Sequence, residues 1–125
     1  MELHIHHIAI IATDYAASKR FYTEVLGLPI VREHYRADRD SWKLDLQLGD
    51  AELELFSMPN APARVTMPEA AGLRHLAFFV PSVADAVAQL AEKEIVCEPV
   101  RLDPYTQKPF TFFFDPDGLP LELHE

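Results

Sequence analysis

The chain repeats itself. Superimposing His7 on His75, an offset of 68 positions, lays HIAIIATDYA over HLAFFVPSVA and makes His7/His75, Ala9/Ala77 and Ala16/Ala84 coincide. Apolar residues face apolar residues between them. The same offset carries Leu53-Glu54-Leu55 onto Leu121-Glu122-Leu123. Either match alone is within reach of chance, but two matches in one register, at opposite ends of each half, point to duplication. Self-similarity at a fixed offset constrains the fold before any single element is assigned.

Each half reads as strand, helix, then three strands. In the first, residues 4–12 form a strand, and Thr13-Asp14 supply an N-cap. A helix from Tyr15 to Leu26 follows, with Ala17, Phe21 and Val25 on one face and Gly27 as its C-terminal stop. Strands are expected at about 30–36, 42–48 and 51–58. The second of these alternates Trp42, Leu44, Leu46 and Leu48 against Lys43, Asp45 and Gln47. In the second half a strand at 73–80 leads to Ser82 as N-cap, with Asp85 three residues on. Val83, Val87, Leu90 and Ala91 give the helical stripe, and strands fall near 95–102, 109–114 and 119–124. The sequence DPDG at 115–118 is a tight turn. Residues 59–72, PNAPARVTMPEAAG, contain three prolines and read as a linker between module one (1–58) and module two (73–125) of a single domain.

A chain of 125 residues suits one domain with a proper core. Its 11 basic residues against 20 acidic ones give a formal charge of -9 with no Lys/Arg stripe, which argues against nucleic acid and acidic membrane as partners. The single cysteine, Cys97, allows no disulfide within the chain and fits a reducing cytosol. The start, MELHIHHIAI, has no basic region of a secretory signal, and no apolar run approaches the roughly 20 residues of a membrane span. A cytoplasmic location is expected.

Period-two geometry indicates where chemistry sits. In the strand 73–80, Leu76, Phe78 and Val80 point toward the helix, leaving His75, Ala77 and Phe79 on the other face. In the first strand Ile8 and Ile10 face the helix, and His7 joins Ala9 and Ile11 opposite. His6 falls on the helix side. Leu53, Leu55, Leu121 and Leu123 claim the helix side of the final strands, so Glu54 and Glu122 share the His face. A lone His on a strand is usually an ordinary core or surface residue. Two imidazoles and two carboxylates on one face are costly unless paired or bound to metal. Two nitrogens and two oxygens suit one divalent transition ion per site: nickel or zinc first, then cobalt, iron or manganese. His4, His6, His34 and His124 lack the repeat's support and are read as non-ligands, and Cys97 as simply buried.

These residues resemble the vicinal oxygen chelate superfamily of glyoxalase I, bleomycin-resistance and dioxygenase proteins. The likeness rests on HHIAIIATDYAASKRFYTEVLGL, GLRHLAFFV and FFFDPDGLPLELHE, and covers essentially the whole chain. RDSWKLDL and DPYTQKPFTFF resemble segments of the short bacterial glyoxalase-I-like members of the YaeR type. The resemblance implies an α+β fold in which two tandem βαβββ modules form a cupped mixed sheet with helices on the outer face. It implies metal ligands His7, Glu54, His75 and Glu122, the four that the repeat selects. Ile11 stands where glyoxalase I usually has an Arg that grips a glutathione carboxylate, and Ser57 and Met58 replace a usual Asn.

The resemblance further implies a metal-dependent lyase of lactoylglutathione lyase type. Such an enzyme isomerises a small vicinal-oxygen substrate, such as a 2-oxoaldehyde–thiol hemithioacetal, through a metal-bound enediolate. Glu122 and Glu54 are both candidate bases. Lys43, Asp45 and Gln47 are candidate substrate contacts, with Arg74, Tyr105, Thr106 and Lys108 at the rim. The alternatives are another metalloenzyme of the superfamily (a dioxygenase, epimerase or thiol transferase) and a non-catalytic small-molecule binding or resistance protein. A homodimer is expected, with each site closed within a chain or shared between two.

Overall fold

Alternating strands and one capped helix per half become, in the computed structural model describing residues 1–125, two α+β units, Met1–Ala63 and Arg64–Glu125. Each carries a four-stranded mixed sheet, ordered β1-β4-β3-β2 in the first and β5-β8-β7-β6 in the second. No helix is long and apolar enough to cross a membrane.

In unit 1, β1 (His7–Ala12) leads into α1 (Tyr15–Arg20), whose N-cap Asp14 accepts the Ala17 N–H at 3.0 Å. The expected helix to Leu26 changes character at Phe21: residues Phe21–Val25 form a π-helical turn, closed by Leu26 N–H donating to Phe21 O. The Thr23 hydroxyl donates to Lys19 O there, competing with the helical ladder. Gly27, at φ 72, ends the element in the left-handed region. Strands β2 (Ile30–Arg36), β3 (Ser41–Leu48) and β4 (Ala51–Ser57) follow; β3 is antiparallel to both neighbours and β4 parallel to β1. Phe21, Tyr22, Ile10, Leu44, Leu46, Leu53 and Leu55 fill the space between helix and sheet. Each fully buried Leu contributes roughly 1.5–3 kcal/mol.

Unit 2 repeats the plan with β5 (Leu76–Phe79), α2 (Val83–Glu92), β6 (Arg101–Leu102), β7 (Pro109–Phe114) and β8 (Pro120–His124). Ser82 caps α2 by accepting the Asp85 N–H, and the Glu125 carboxylate accepts the Val83 N–H at 2.9 Å. Val83, Leu90, Phe113, Leu119, Leu121 and Leu123 form the core. At the DPDG turn the Asp115 carboxylate accepts the N–H groups of Asp117 and Leu119.

Two strand expectations shrink. The strand predicted at 95–102 survives only as Arg101–Leu102. Pro99 has no N–H to give, so this edge segment holds to β7 through Glu98 N–H to Phe112 O and the Thr111 hydroxyl to Glu98 O. The first strand of each half starts later than alternation suggests, at His7 and Leu76, so His75 immediately precedes β5.

Candidate metal centre

His7 opens β1, and Ala9, two residues on, is the register partner of Glu54 in β4. Because Leu53 and Leu55 are wholly buried against the helix, pleating turns Glu54 to the other face, and His7 Nε2 comes within 3.7 Å of Glu54 Oε2. His6 does not take the helix side as alternation suggested. It precedes the strand, is exposed, and meets His7 edge-on with their Nδ1 atoms 2.9 Å apart. The His7 tautomer that donates through Nδ1 leaves its Nε2 lone pair available on the Glu54 side.

Glu54 is also gripped from behind. Lys43 Nζ donates to Glu54 Oε1 at 3.0 Å and to Asp45 Oδ1 at 2.7 Å. Asp45 in turn accepts from Arg32 Nη1 through Oδ2 at 2.7 Å, and Arg32 reaches Glu52 at 3.0 and 3.2 Å. Asp45 is only 1% exposed. Burial alone would push its carboxyl upward, but the bonds from Lys43 and Arg32 outweigh that and hold it below the usual carboxylate range. Burial opposes the charge on Lys43 as well, and its bonds to Asp45 and Glu54 raise it nonetheless. Asp45, Glu52 and Glu54 bring carboxylate oxygens within 4.8 Å of one another. Arg32 and Lys43 between them already pair with all three carboxylates.

In unit 2 the pair is His75 and Glu122. Ala77 is the register partner of Glu122, and His75 Nε2 lies 2.8 Å from Glu122 Oε2. Their surroundings are aromatic. Phe112 sits directly across from Glu122 and meets the His75 ring edge-on at 5.2 Å. Phe110 packs against Phe112 and stacks on His124. The Arg101 guanidinium lies over Phe110 and Phe112, at 5.0 and 5.9 Å, and forms its ion pair with Glu98. Neither an ammonium nor a guanidinium reaches Glu122.

The remaining residues selected from sequence fall in varied places. Gln47 ties down the β3–β4 turn, donating to Gly49 O and Ala51 O. Arg74 donates to Glu69 at 2.7 Å and stands 3.3 Å from His75 Nδ1. Tyr105 and Thr106 lie in the turn that precedes β7, where Asp103 accepts both their N–H groups and the Thr106 hydroxyl accepts the Lys108 N–H. No hydrogen bond or ion pair joins this turn to His75 or Glu122; it is tied to β8 through Asp103 and His124, 3.3 Å apart. Cys97 is half-buried, and burial pushes its thiol up. Sequence reasoning passed over Arg32. The alternating charges of KLD in β3 and ELE in β4 were the available signal, but only strand pairing reveals the third strand's contribution.

The profile of the Glyoxalase/Bleomycin resistance protein/Dioxygenase superfamily matches residues 4–123. Two uncharacterized proteins, YaeR of Escherichia coli (strain K12) and YwkD of Bacillus subtilis (strain 168), are each 61% identical over 122 residues, covering 97% of this chain and 95% of the relative. The crystal structure of a glyoxalase family protein from Enterococcus faecalis superimposes with a TM-score of 0.92 at 54% identity, covering 98% of this chain and 97% of that one.

Proposed function

From a chain that belongs to the Glyoxalase/Bleomycin resistance protein/Dioxygenase superfamily, we propose a metal-dependent isomerase of the glyoxalase I type. It acts on a small substrate with neighbouring oxygens, such as a 2-oxoaldehyde–thiol hemithioacetal. The observation that supports this most is the donor set. Each unit sets one imidazole Nε2 beside one glutamate oxygen, at 3.7 and 2.8 Å. Two such pairs, His7 with Glu54 and His75 with Glu122, supply two nitrogens and two oxygens for one divalent ion, with nickel or zinc as first candidates.

When bound, the ion supplies Lewis acidity toward the two neighbouring substrate oxygens. The rest is the work of side chains. Glu54, with one oxygen claimed by Lys43, remains a fixed ligand. Glu122, with no lysine or arginine on either oxygen, is the base that takes the carbon-bound proton and returns it to the adjacent carbon. Phe110 and Phe112 offer an apolar face beside Glu122. Ile11, 49% exposed on the His7 face, has no charge with which to grip a carboxylate, so the thiol carrier need not be glutathione.

The test is metal analysis of the purified protein alongside its His75→Ala variant, followed by a screen of hemithioacetals made from different thiols. One divalent transition ion per four-residue site is expected in the wild type and none in the variant, with circular dichroism unchanged. Full occupancy in His75→Ala would falsify the ligand assignment. We further propose a homodimer whose sites combine His7 and Glu54 of one chain with His75 and Glu122 of its partner. Mixing a His7→Ala/Glu54→Ala chain with a His75→Ala/Glu122→Ala chain then restores one metal site per heterodimer. Confirmed subunit exchange without recovery shows that each chain closes its own site.

A further inference from the structure

We infer that Lys43, itself fixed by Asp45 and Arg32, is a positioning residue that holds Glu54 to single-oxygen ligation and so makes the two metal carboxylates inequivalent. This rests on the metal site proposed above. Glu54, Lys43, Asp45, Arg32 and Glu52 form one chain of alternating charge, with links of 3.0, 2.7, 2.7 and 3.0 Å. Its middle member is the most deeply buried: Asp45 is 1% exposed, against 25% for the Lys43 side chain and 12% for that of Glu54. Lys43 therefore cannot swing away without leaving a buried carboxylate short of a partner, a costly arrangement. With Oε1 bonded to this ammonium, Glu54 presents Oε2 alone toward His7 Nε2.

The second unit supplies the internal control. Lys43 pairs across the sheet with Phe56, two residues beyond Glu54; the residue paired with His124, two beyond Glu122, is Phe110. Asp45 pairs with Glu54, and Phe112 with Glu122. Both clamp positions are thus phenylalanine in unit 2, and neither lysine nor arginine holds an oxygen of Glu122, whose Oε2 meets only the His75 imidazole at 2.8 Å. Outer partners of this kind set the orientation of a ligand, and their loss typically lowers metal affinity by about 10–100-fold.

The test compares wild type, Lys43→Arg and Lys43→Met/Asp45→Leu, each loaded with Co(II). The double variant removes one charge of each sign, so the net charge of the cluster is preserved while the hydrogen bond that orients Glu54 is lost. Arg32 keeps Glu52, and replacing a buried ion pair with apolar groups is often neutral or better for stability, so the fold is retained. Chelator competition is expected to show about 10–100-fold weaker binding in the double variant, with altered Co(II) absorption bands as Glu54 gains its second oxygen. Lys43→Arg, which keeps donors to both carboxylates, stays close to wild type in both. An unchanged double variant overturns the clamp, as does weaker binding with an unchanged spectrum, which marks a general loss rather than a loss of orientation. A wild-type protein that binds no Co(II) overturns the metal site itself, a distinct result.

Discussion

Around Glu54 stand Lys43, Asp45, Arg32 and Glu52; around Glu122, at matching register positions, stand Phe110 and Phe112. The two units agree in everything that fixes where the His–Glu pair sits: a first strand parallel to the last, an alanine opposite each glutamate, and leucines flanking it on the buried face. They differ in the strand beside the glutamate. One sheet carries a buried ionic chain there, stable only because every charge has a partner of opposite sign; the other carries rings that need no partner. Duplicated backbone geometry is thus compatible with opposite chemistry. A glutamate held by a lysine and one without such a partner share a single backbone arrangement.

The sharpest way to break that comparison is to neutralise each carboxylate in turn. Glu122→Gln is expected to lower kcat by about 10²–10⁴-fold while losing much less metal, whereas Glu54→Gln loses metal and turnover together. Parallel measurements of kcat and metal per chain decide it. Equal losses of both in Glu122→Gln make that residue only a ligand.

The next effect tests whether the halves are alike beneath their sites. Leu53 and Leu121 hold equivalent positions and are both fully buried. Changing either to Ala should cost about 2–5 kcal/mol in urea unfolding, with values of similar size. A clear disparity means that one unit's core collapses around the cavity more readily than the other's.

Smaller still are the helix caps. Asp14→Ala and Ser82→Ala each remove an acceptor for a first-turn N–H and should cost about 1 kcal/mol by the same measurement. Ser82→Ala is expected at the lower end, because the Glu125 carboxylate still holds the Val83 N–H.

The smallest effect concerns acid stability. Lys19 and the Tyr15 hydroxyl bond to Glu33 and hold its carboxyl below the ordinary value, more than offsetting the upward push of burial. A depressed folded-state value contributes stability that is fully present above the unfolded carboxyl's value. That contribution is lost as the pH falls through the folded one. Melting temperatures of Glu33→Gln should therefore lie below wild type near neutrality and converge with it on acidification. A constant gap across the range removes the charge from the explanation.

The sequence by itself determined the repeat, the placement of His7, Glu54, His75 and Glu122 relative to their flanking leucines, the Asp14 and Ser82 caps, and the DPDG turn. All of these are local: alternation, a cap and a turn act within a few residues, so the linear order displays them. What only the tertiary structure decided is the pairing between strands. Glu54 and Glu122 lie 68 positions apart, but their cross-strand partners Asp45 and Phe112 lie only 67 apart. Carrying the offset of 68 through β7 would equate Lys43 with Thr111 and Asp45 with Phe113, both buried on the helix side. One residue of slip exchanges the faces of a strand, because side chains alternate with a period of two. The ionic clamp in one unit and the aromatic wall in the other are therefore set by register. Hairpin length and hydrogen bonding between distant strands fix that register, and no single stretch of sequence contains it.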